Sequence, residues 1–229
     1  MSKRQITVMI VGYGDRGHAY TKYALTHPEH MKVVAAVEPD EARREEACRT
    51  FSIPRERCFS CLEEALSQGR IADAVINATM DSLHVETALP LLRQGYDMLL
   101  EKPVTSVREE LLTLKKTADE HGCKLMICHV LRYTPFYRRI KEILLSGEIG
   151  KIFFIDTSEM VGVAHASASY IRGKWNKRTE CGSSMLLAKC CHDLDLLCWF
   201  MSGTTPESVL AFLVRLCYNY CTINSNLLE

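Results

Sequence analysis

Val8-Met9-Ile10-Val11-Gly12-Tyr13-Gly14-Asp15-Arg16-Gly17 decides the fold. An apolar, β-branched run passes directly into three glycines spaced G-x-G-x-x-G, and a helix-compatible stretch, residues 18–25, follows the last of them. Each glycine answers a separate demand. Gly12 permits the tight strand-to-helix turn, Gly14 lets backbone approach a pyrophosphate, and Gly17 lets the helix pack on the sheet with its first N–H groups facing the phosphates. Three glycines alone are a weak sign, but between a strand and a helix they form a dinucleotide-binding fingerprint. Asp15 and Arg16 lie within the loop and join the expected cofactor contacts. A second apolar run, residues 32–37, ends in Glu38, roughly 20 residues beyond Gly17, where a carboxylate accepts hydrogen bonds from an adenosine ribose. That charge repels a 2′-phosphate, so NAD is expected in preference to NADP. Pro39 stands where an arginine would compensate, while Arg43 and Arg44 weigh the other way. The competing reading is a glycine turn with a solvated glutamate at a strand end, which the order of elements disfavours.

The alternation continues downstream. Helical stretches over 39–51 and 61–68 precede a strand at 72–77; a helix over 83–94 ending at Gly95 precedes a strand at 96–100; a helix over 107–120 ending at Gly122 precedes a strand at 124–127. This predicts an α/β, doubly wound parallel sheet with its ligand crevice at the carboxyl ends of the strands. Beyond Cys128 the rhythm changes to a helix at 135–146, a strand at 151–159, a loop over 160–183, a helix at 184–201 and a strand at 207–214. Two domains are therefore expected, residues 1–128 for the cofactor and residues 129–229 for substrate and association. A loop as long as 160–183, which carries Trp175, is usually functional or disordered in a compact domain.

With 28 Lys plus Arg against 28 Asp plus Glu, the chain has no net charge to attract nucleic acid or an anionic membrane. The start, Met1-Ser2-Lys3-Arg4-Gln5, lacks the apolar core of a signal peptide, and no apolar run reaches spanning length, so a cytoplasmic location is expected. Eleven cysteines are odd in number and mostly set in apolar surroundings, which reads as reduced thiols. Cys58 and Cys61 have C-x-x-C spacing but no companion pair to complete a metal site, so no metal is expected.

Three strand ends converge on the crevice: Asn77-Ala78-Thr79, Glu101-Lys102-Pro103, and the stretch from His129 to Tyr133. GYGDRG, NATMDSLHVETALPLLRQGYDMLLEKP, VLRYTPFY, GEIGKI and AKCCHDLDLLCWF, in that order, resemble the Gfo/Idh/MocA oxidoreductase family, which includes glucose-fructose oxidoreductase and inositol dehydrogenase. The resemblance covers about the first 210 residues. It implies an amino-terminal Rossmann domain followed by an α/β domain on an open, mostly antiparallel sheet. It also implies that Lys102, from the EKP motif, lies beside nicotinamide and substrate as the leading catalytic residue. An ammonium there can hydrogen-bond a substrate hydroxyl, stabilise alkoxide charge or exchange a proton. An isolated strand-end lysine is more commonly just solvated, and only the surrounding motif favours catalysis.

By the same resemblance His84 lies near the cofactor; Thr79 joins the expected cofactor contacts, Glu101 is expected to orient Lys102 or contact the cofactor, and Arg132 and Tyr133 to position substrate or close the interdomain cleft, with Trp175 as a further substrate-side residue. A backbone-bonded helix-start histidine is the competing reading of His84, and a structural ion pair that of Arg132. His192 matches the family histidine that takes the hydroxyl proton. Members with a DxxxH dyad place an aspartate four residues before it on the same helix face; here that position is Ala188. Lys189, three residues before His192, is the nearest ionisable group and a third catalytic candidate, while Asp195 stands three residues after.

The expected activity is NAD(P)-dependent hydride transfer between nicotinamide and a secondary hydroxyl of a sugar, sugar derivative or cyclitol. The alternatives are an NAD-dependent glycoside hydrolase of the same fold and a truncated, non-catalytic nucleotide-binding protein. Family members are longer than this chain, which stops one strand into the second sheet, so that domain is expected to be partial and to form homo-oligomers through its exposed sheet.

Overall fold

The computed structural model describes residues 4–210. Its first half is a six-stranded sheet in the order β3-β2-β1-β4-β5-β6, every pairing parallel. The strands are β1 (Ile6–Val11), β2 (Met31–Val37), β3 (Cys58–Phe59), β4 (Ala74–Asn77), β5 (Asp97–Leu100) and β6 (Leu125–Ile127). The helices between them are α1 (Asp15–Thr26), α2 (Glu41–Phe51), α3 (Leu62–Ser67), α4 (His84–Arg93) and α5 (Arg108–Glu120). This order reverses direction between β1 and β4, which opens a crevice at their carboxyl ends.

Successive side chains of a strand point to opposite faces, so the apolar run of β1 feeds two cores. Val8 and Ile10 pack with Ala24, Val33, Ala36 and Ala47, on the α1 and α2 side. Met9 and Val11 pack on the other side, with Val75, Leu91, Leu92, Leu100 and Leu114 beneath α4 and α5. A sheet covered on both faces needs such apolar strands, and Val8 to Val11 are all buried. The two-residue β3, pairing Ala36 and Val37 with Cys58 and Phe59, is too short to leave a periodic signal and was not anticipated.

The chain after β6 corrects the expectation of a second sheet. Among the described residues it contains α6 (Pro135–Ser146), the short α7 (Val163–His165) running into a π-helical turn (Ala166–Ile171), α8 (Arg178–Cys181) and α9 (Met185–Phe200), with no strand. Residues 151–159 form no regular element and pair with no strand. Phe153 and Phe154, apolar enough to suggest a buried strand, stand 88% and 82% exposed. A strand exists only as part of a ladder, and no described strand pairs with this segment, which shares a cavity with α6 and α9 instead. Residues 207–210 are likewise unpaired, and 211–214 lie outside the described residues. The partial, mostly antiparallel carboxyl-terminal sheet is therefore replaced by helices, and with it goes the expected homo-oligomer through that sheet.

Reduced thiols throughout also require correction: Cys48 of α2 and Cys58 of β3 form a disulfide. Ser52 caps α2 in the left-handed conformation and Ile53 N–H donates to the Cys48 carbonyl, folding the chain back so that the two sulfurs meet. Cys58 is thus bonded to a residue ten positions earlier rather than to Cys61.

α6 and α9 are joined by a buried lysine. Lys141 Nζ donates to the carbonyls of Trp199 (2.6 Å) and Phe200 (3.2 Å) and to Ser202 Oγ (2.8 Å), occupying its three donors at the carboxyl end of α9.

A Cβ on Gly17 would run into the Gly12 carbonyl oxygen. Gly17→Ala is therefore expected to cost about 1–3 kcal/mol, the usual scale of overpacking, read as a lower urea midpoint with unchanged slope.

Candidate active site

At the amino end of the crevice, Gly12 adopts φ +85° and packs so closely on the β4 loop that a Cβ would stand 2.7 Å from the Ala78 carbonyl oxygen. Gly14 is different: a Cβ there would meet nothing closer than the Arg43 guanidinium at 3.9 Å, so this glycine leaves space above the loop. Gly14 is also the residue before α1, and no side chain caps that helix. The first N–H groups of α1 therefore lack a side-chain acceptor, the arrangement that receives a phosphate. Asp15 and Arg16 are exposed on this first turn.

Glu38 follows β2 and is buried, with 6% exposure. Its carboxylate accepts from Tyr13 N–H (2.6 Å) and Asp40 N–H (3.1 Å), tying the glycine loop to the end of β2. Two contacts leave acceptor sites free on a group that has about four. Arg44 is spent on the Glu38 and Pro39 carbonyls, 2.7 and 3.1 Å away. Uncapped α1, open Gly14 and buried Glu38 together fit a dinucleotide.

Across the crevice, Asn77 closes β4 and accepts from Thr79 Oγ1 (2.9 Å). His84 is completely buried; Nδ1 faces the Pro103 carbonyl (2.7 Å) and Nε2 the Thr79 carbonyl (3.1 Å). It fastens the loops after β4 and β5 to each other and is not itself open to a ligand. The Lys102–Pro103 peptide is cis. Glu101 is buried and accepts from Tyr20 OH (2.7 Å), with Arg16 Nε 3.7 Å from its other oxygen. Burial and the Glu101 charge push the neighbouring Cys128 thiol up to about 12, so it stays protonated.

Lys102 reaches away from the sheet and donates from Nζ to the Ala188 carbonyl of α9, at 3.2 Å. His192 lies one turn further along that helix. Burial, reinforced by the charges of Lys102 and Lys189 and by His129, lowers its pKa to about 4 and keeps the ring neutral. Lys189 is held below the usual lysine range by burial and by Lys102, and its ammonium lies 5.9 Å over the Tyr170 ring. Asp195 does not touch His192. Both of its oxygens accept from Arg132, at 2.6 Å each, in a two-pronged pair that binds the turn after β6 to α9.

Lys102, His192 and Lys189 are thus brought together, while Arg132 is engaged in an ion pair. Tyr133 is half exposed and stacks beneath Arg138. Trp175 N–H bonds the Ser169 carbonyl, and no contact found joins its ring to Lys102 or His192. Two residues to which the sequence assigned no role belong to the cluster. Tyr20, on α1, is half-buried against Glu101. His129 sits directly after β6 with its ring 5.9 Å from that of His192. Position at a strand's carboxyl end was the available signal for His129. The described cavities lie elsewhere: one of about 390 Å³ between Arg108 and Ser184, another of about 570 Å³ between α6, α9 and residues 149–158. Among the described residues there is no cluster able to hold a metal and no helix long and apolar enough to cross a membrane.

Comparison with known proteins places this geometry in a family. YteT of Bacillus subtilis is 34% identical over 141 residues, 61% of this chain and 32% of that protein. An inositol 2-dehydrogenase of Leifsonia xyli is 32% identical over 153 residues, 66% of this chain and 43% of that protein. The crystal structure of scyllo-inositol dehydrogenase from Lactobacillus casei with bound NAD(H) and scyllo-inositol superposes with a TM-score of 0.71 at 23% identity, covering 86% of this chain and 56% of that one. The chain spans less than half the length of either sequence relative. Residues 6–129 match the oxidoreductase family with an NAD-binding Rossmann fold, and residues 137–220 match the GFO/IDH/MocA C-terminal domain. The chain belongs to the Gfo/Idh/MocA oxidoreductase family.

Proposed function

We propose that this chain carries the cofactor site and part of the substrate site of a dehydrogenase that oxidises a secondary hydroxyl of a sugar, sugar derivative or cyclitol, with NAD preferred over NADP. Residues 1–128 act as the cofactor domain and residues 129–229 as the start of the substrate domain. The observation that carries the reading is the meeting of Lys102 with α9 one turn before His192.

The N–H groups of α1 and the backbone at Gly14 would hold the pyrophosphate of a bound dinucleotide, and Glu38 would hold its adenosine ribose. Nicotinamide, when bound, supplies the hydride acceptor. The protein's task is then to manage the hydroxyl proton and the charge left on oxygen. His192 is neutral near pH 7 and can accept the proton, while the Lys102 ammonium donates a hydrogen bond to the oxygen as charge builds. Lys189 adds a second cation facing the same helix turn, suited to a substrate hydroxyl or carboxylate. Inositol dehydrogenases among the relatives support a polyol or cyclitol as substrate. The relatives include both NAD- and NADP-linked scyllo-inositol dehydrogenases, so the preference rests on Glu38.

A thermal-shift screen with NAD, NADP and a polyol panel, followed by NADH formation on the hits, tests the proposal directly. Stabilisation by neither nucleotide would overturn it. Lys102→Met is expected to lower turnover by about 100-fold or more while leaving NADH affinity within a few-fold; normal turnover would remove Lys102 from the mechanism. Glu38→Ser is expected to weaken NADH binding and narrow or reverse the preference over NADPH, measured by titration calorimetry.

The depressed His192 pKa has a consequence for stability. Below about pH 6.5 the unfolded chain binds a proton that the folded chain refuses until about pH 4, so this contribution is present above pH 6.5 and lost as pH falls through that window. His129, also lowered by burial, acts in the same direction. Urea midpoints are expected to fall between about pH 6.5 and 4, and to fall less steeply in His192→Asn.

A further inference from the structure

His192 lacks the partner that DxxxH members supply, because Ala188 occupies the position. Asp195, the nearest same-face carboxylate, gives both oxygens to Arg132. His192 Nδ1 is consequently buried with no hydrogen-bond partner. Buried polar atoms in that condition are scarce enough to require a reason. Among the described residues one other ring nitrogen shares it, His129 Nδ1. The two imidazoles are neighbours, with centroids 5.9 Å apart and planes at 84°. The other nitrogen of His129, Nε2, faces Asp195 Oδ1 at 3.8 Å.

We propose that His129 is a positioning residue that sets the tautomer of His192, completing an Asp195–His129–His192 chain in place of the missing same-helix aspartate. The proposal rests on His192 being the proton acceptor of the dehydrogenase reading.

The proton inventory follows from the partners. Asp195 accepts only, so the His129 proton belongs on Nε2, leaving Nδ1 as an acceptor. His192 Nδ1–H then donates to His129 Nδ1, and the Nε2 lone pair of His192 is free for substrate. At this centroid separation rotation of the rings leaves the two Nδ1 atoms about 3.6 Å apart at best, so the bond forms only as the rings approach by a few tenths of an ångström more. During oxidation the substrate O–H bond breaks and its proton moves to His192 Nε2. The C–H electron pair leaves as hydride to the nicotinamide, and the oxygen pair closes the carbonyl. The imidazolium so formed remains hydrogen-bonded to neutral His129, with the Asp195 carboxylate behind it. Lys102, Lys189 and Arg16 oppose that charge on His192, and Arg132 and Lys102 oppose charge on His129. Burial holds both rings neutral at rest, as the chain requires.

The decisive measurement needs no variant of His129. Long-range proton–nitrogen NMR of the histidine-labelled full chain, with His192 assigned by its loss in His192→Gln, is expected to show His192 protonated on Nδ1. An Nε2–H tautomer in the unaltered protein would overturn the proposal. His129→Phe, which keeps a ring but no acceptor, is expected to move His192 toward the Nε2–H form. It should lower kcat by about 100-fold with KM little changed. His129→Gln, whose amide oxygen can accept, is expected to restore the Nδ1–H form and part of kcat. An unchanged tautomer in a folded His129→Phe would also overturn the assignment. A His129-dependent tautomer in a chain without turnover on any polyol supports this assignment while overturning the reading of the reaction.

Discussion

The architecture depends on one exclusion: there is no room for a Cβ where β1, β4 and α1 meet. Gly12 lies against the Ala78 carbonyl, and Gly17 lies against the Gly12 carbonyl. Two missing side chains therefore bring a helix onto the sheet at the point where strand order reverses. Everything that follows in the crevice inherits its position from this approach. Glu38 reaches Tyr13 N–H only because the loop turns so tightly, and Tyr20 reaches Glu101 only because α1 sits close to the sheet.

The second half of the site is attached by polar rather than apolar joints. Lys102 on the Ala188 carbonyl and Arg132 on Asp195 fix α9 near its middle, and Lys141 closes its end. These joints gather cations around two imidazoles. The neutral state of His192 is thus a property of the assembly: burial is its largest cause, and Lys102 and Lys189 add to it from two different elements.

Much of this was readable in the chain itself, for physical reasons that also mark where reading stops. Strands buried on both faces must be apolar throughout, so β1, β2, β4 and β5 are visible without an alignment. The glycine spacing is visible because backbone clearance tolerates no substitute. Residues 151–159 have strand composition, but pairing depends on neighbours, and none is present among the described residues. The Cys48–Cys58 bond was hidden by the nearer Cys61, since sequence spacing says nothing about the reversal at Ser52. His129 stood in a strand-end stretch but carried no role of its own, because its significance comes from a ring supplied by α9, over 60 positions later. His84 was expected near the cofactor, with a backbone-bonded helix-start histidine as the competing reading; it is completely buried and fastens two loops through their carbonyls.

Ala188 carries an implication for how such sites can change over descent. It is 2% exposed, and its carbonyl receives Lys102. A small residue at this point lets the strand-end lysine rest on the helix backbone, occupying the neighbourhood in which an aspartate side chain would have to stand. The hold of the lysine on α9 is thus a contact with main chain, which a change of side chain at position 188 does not by itself remove, so the joint between the two halves of the site and the side chains that do its chemistry can vary separately.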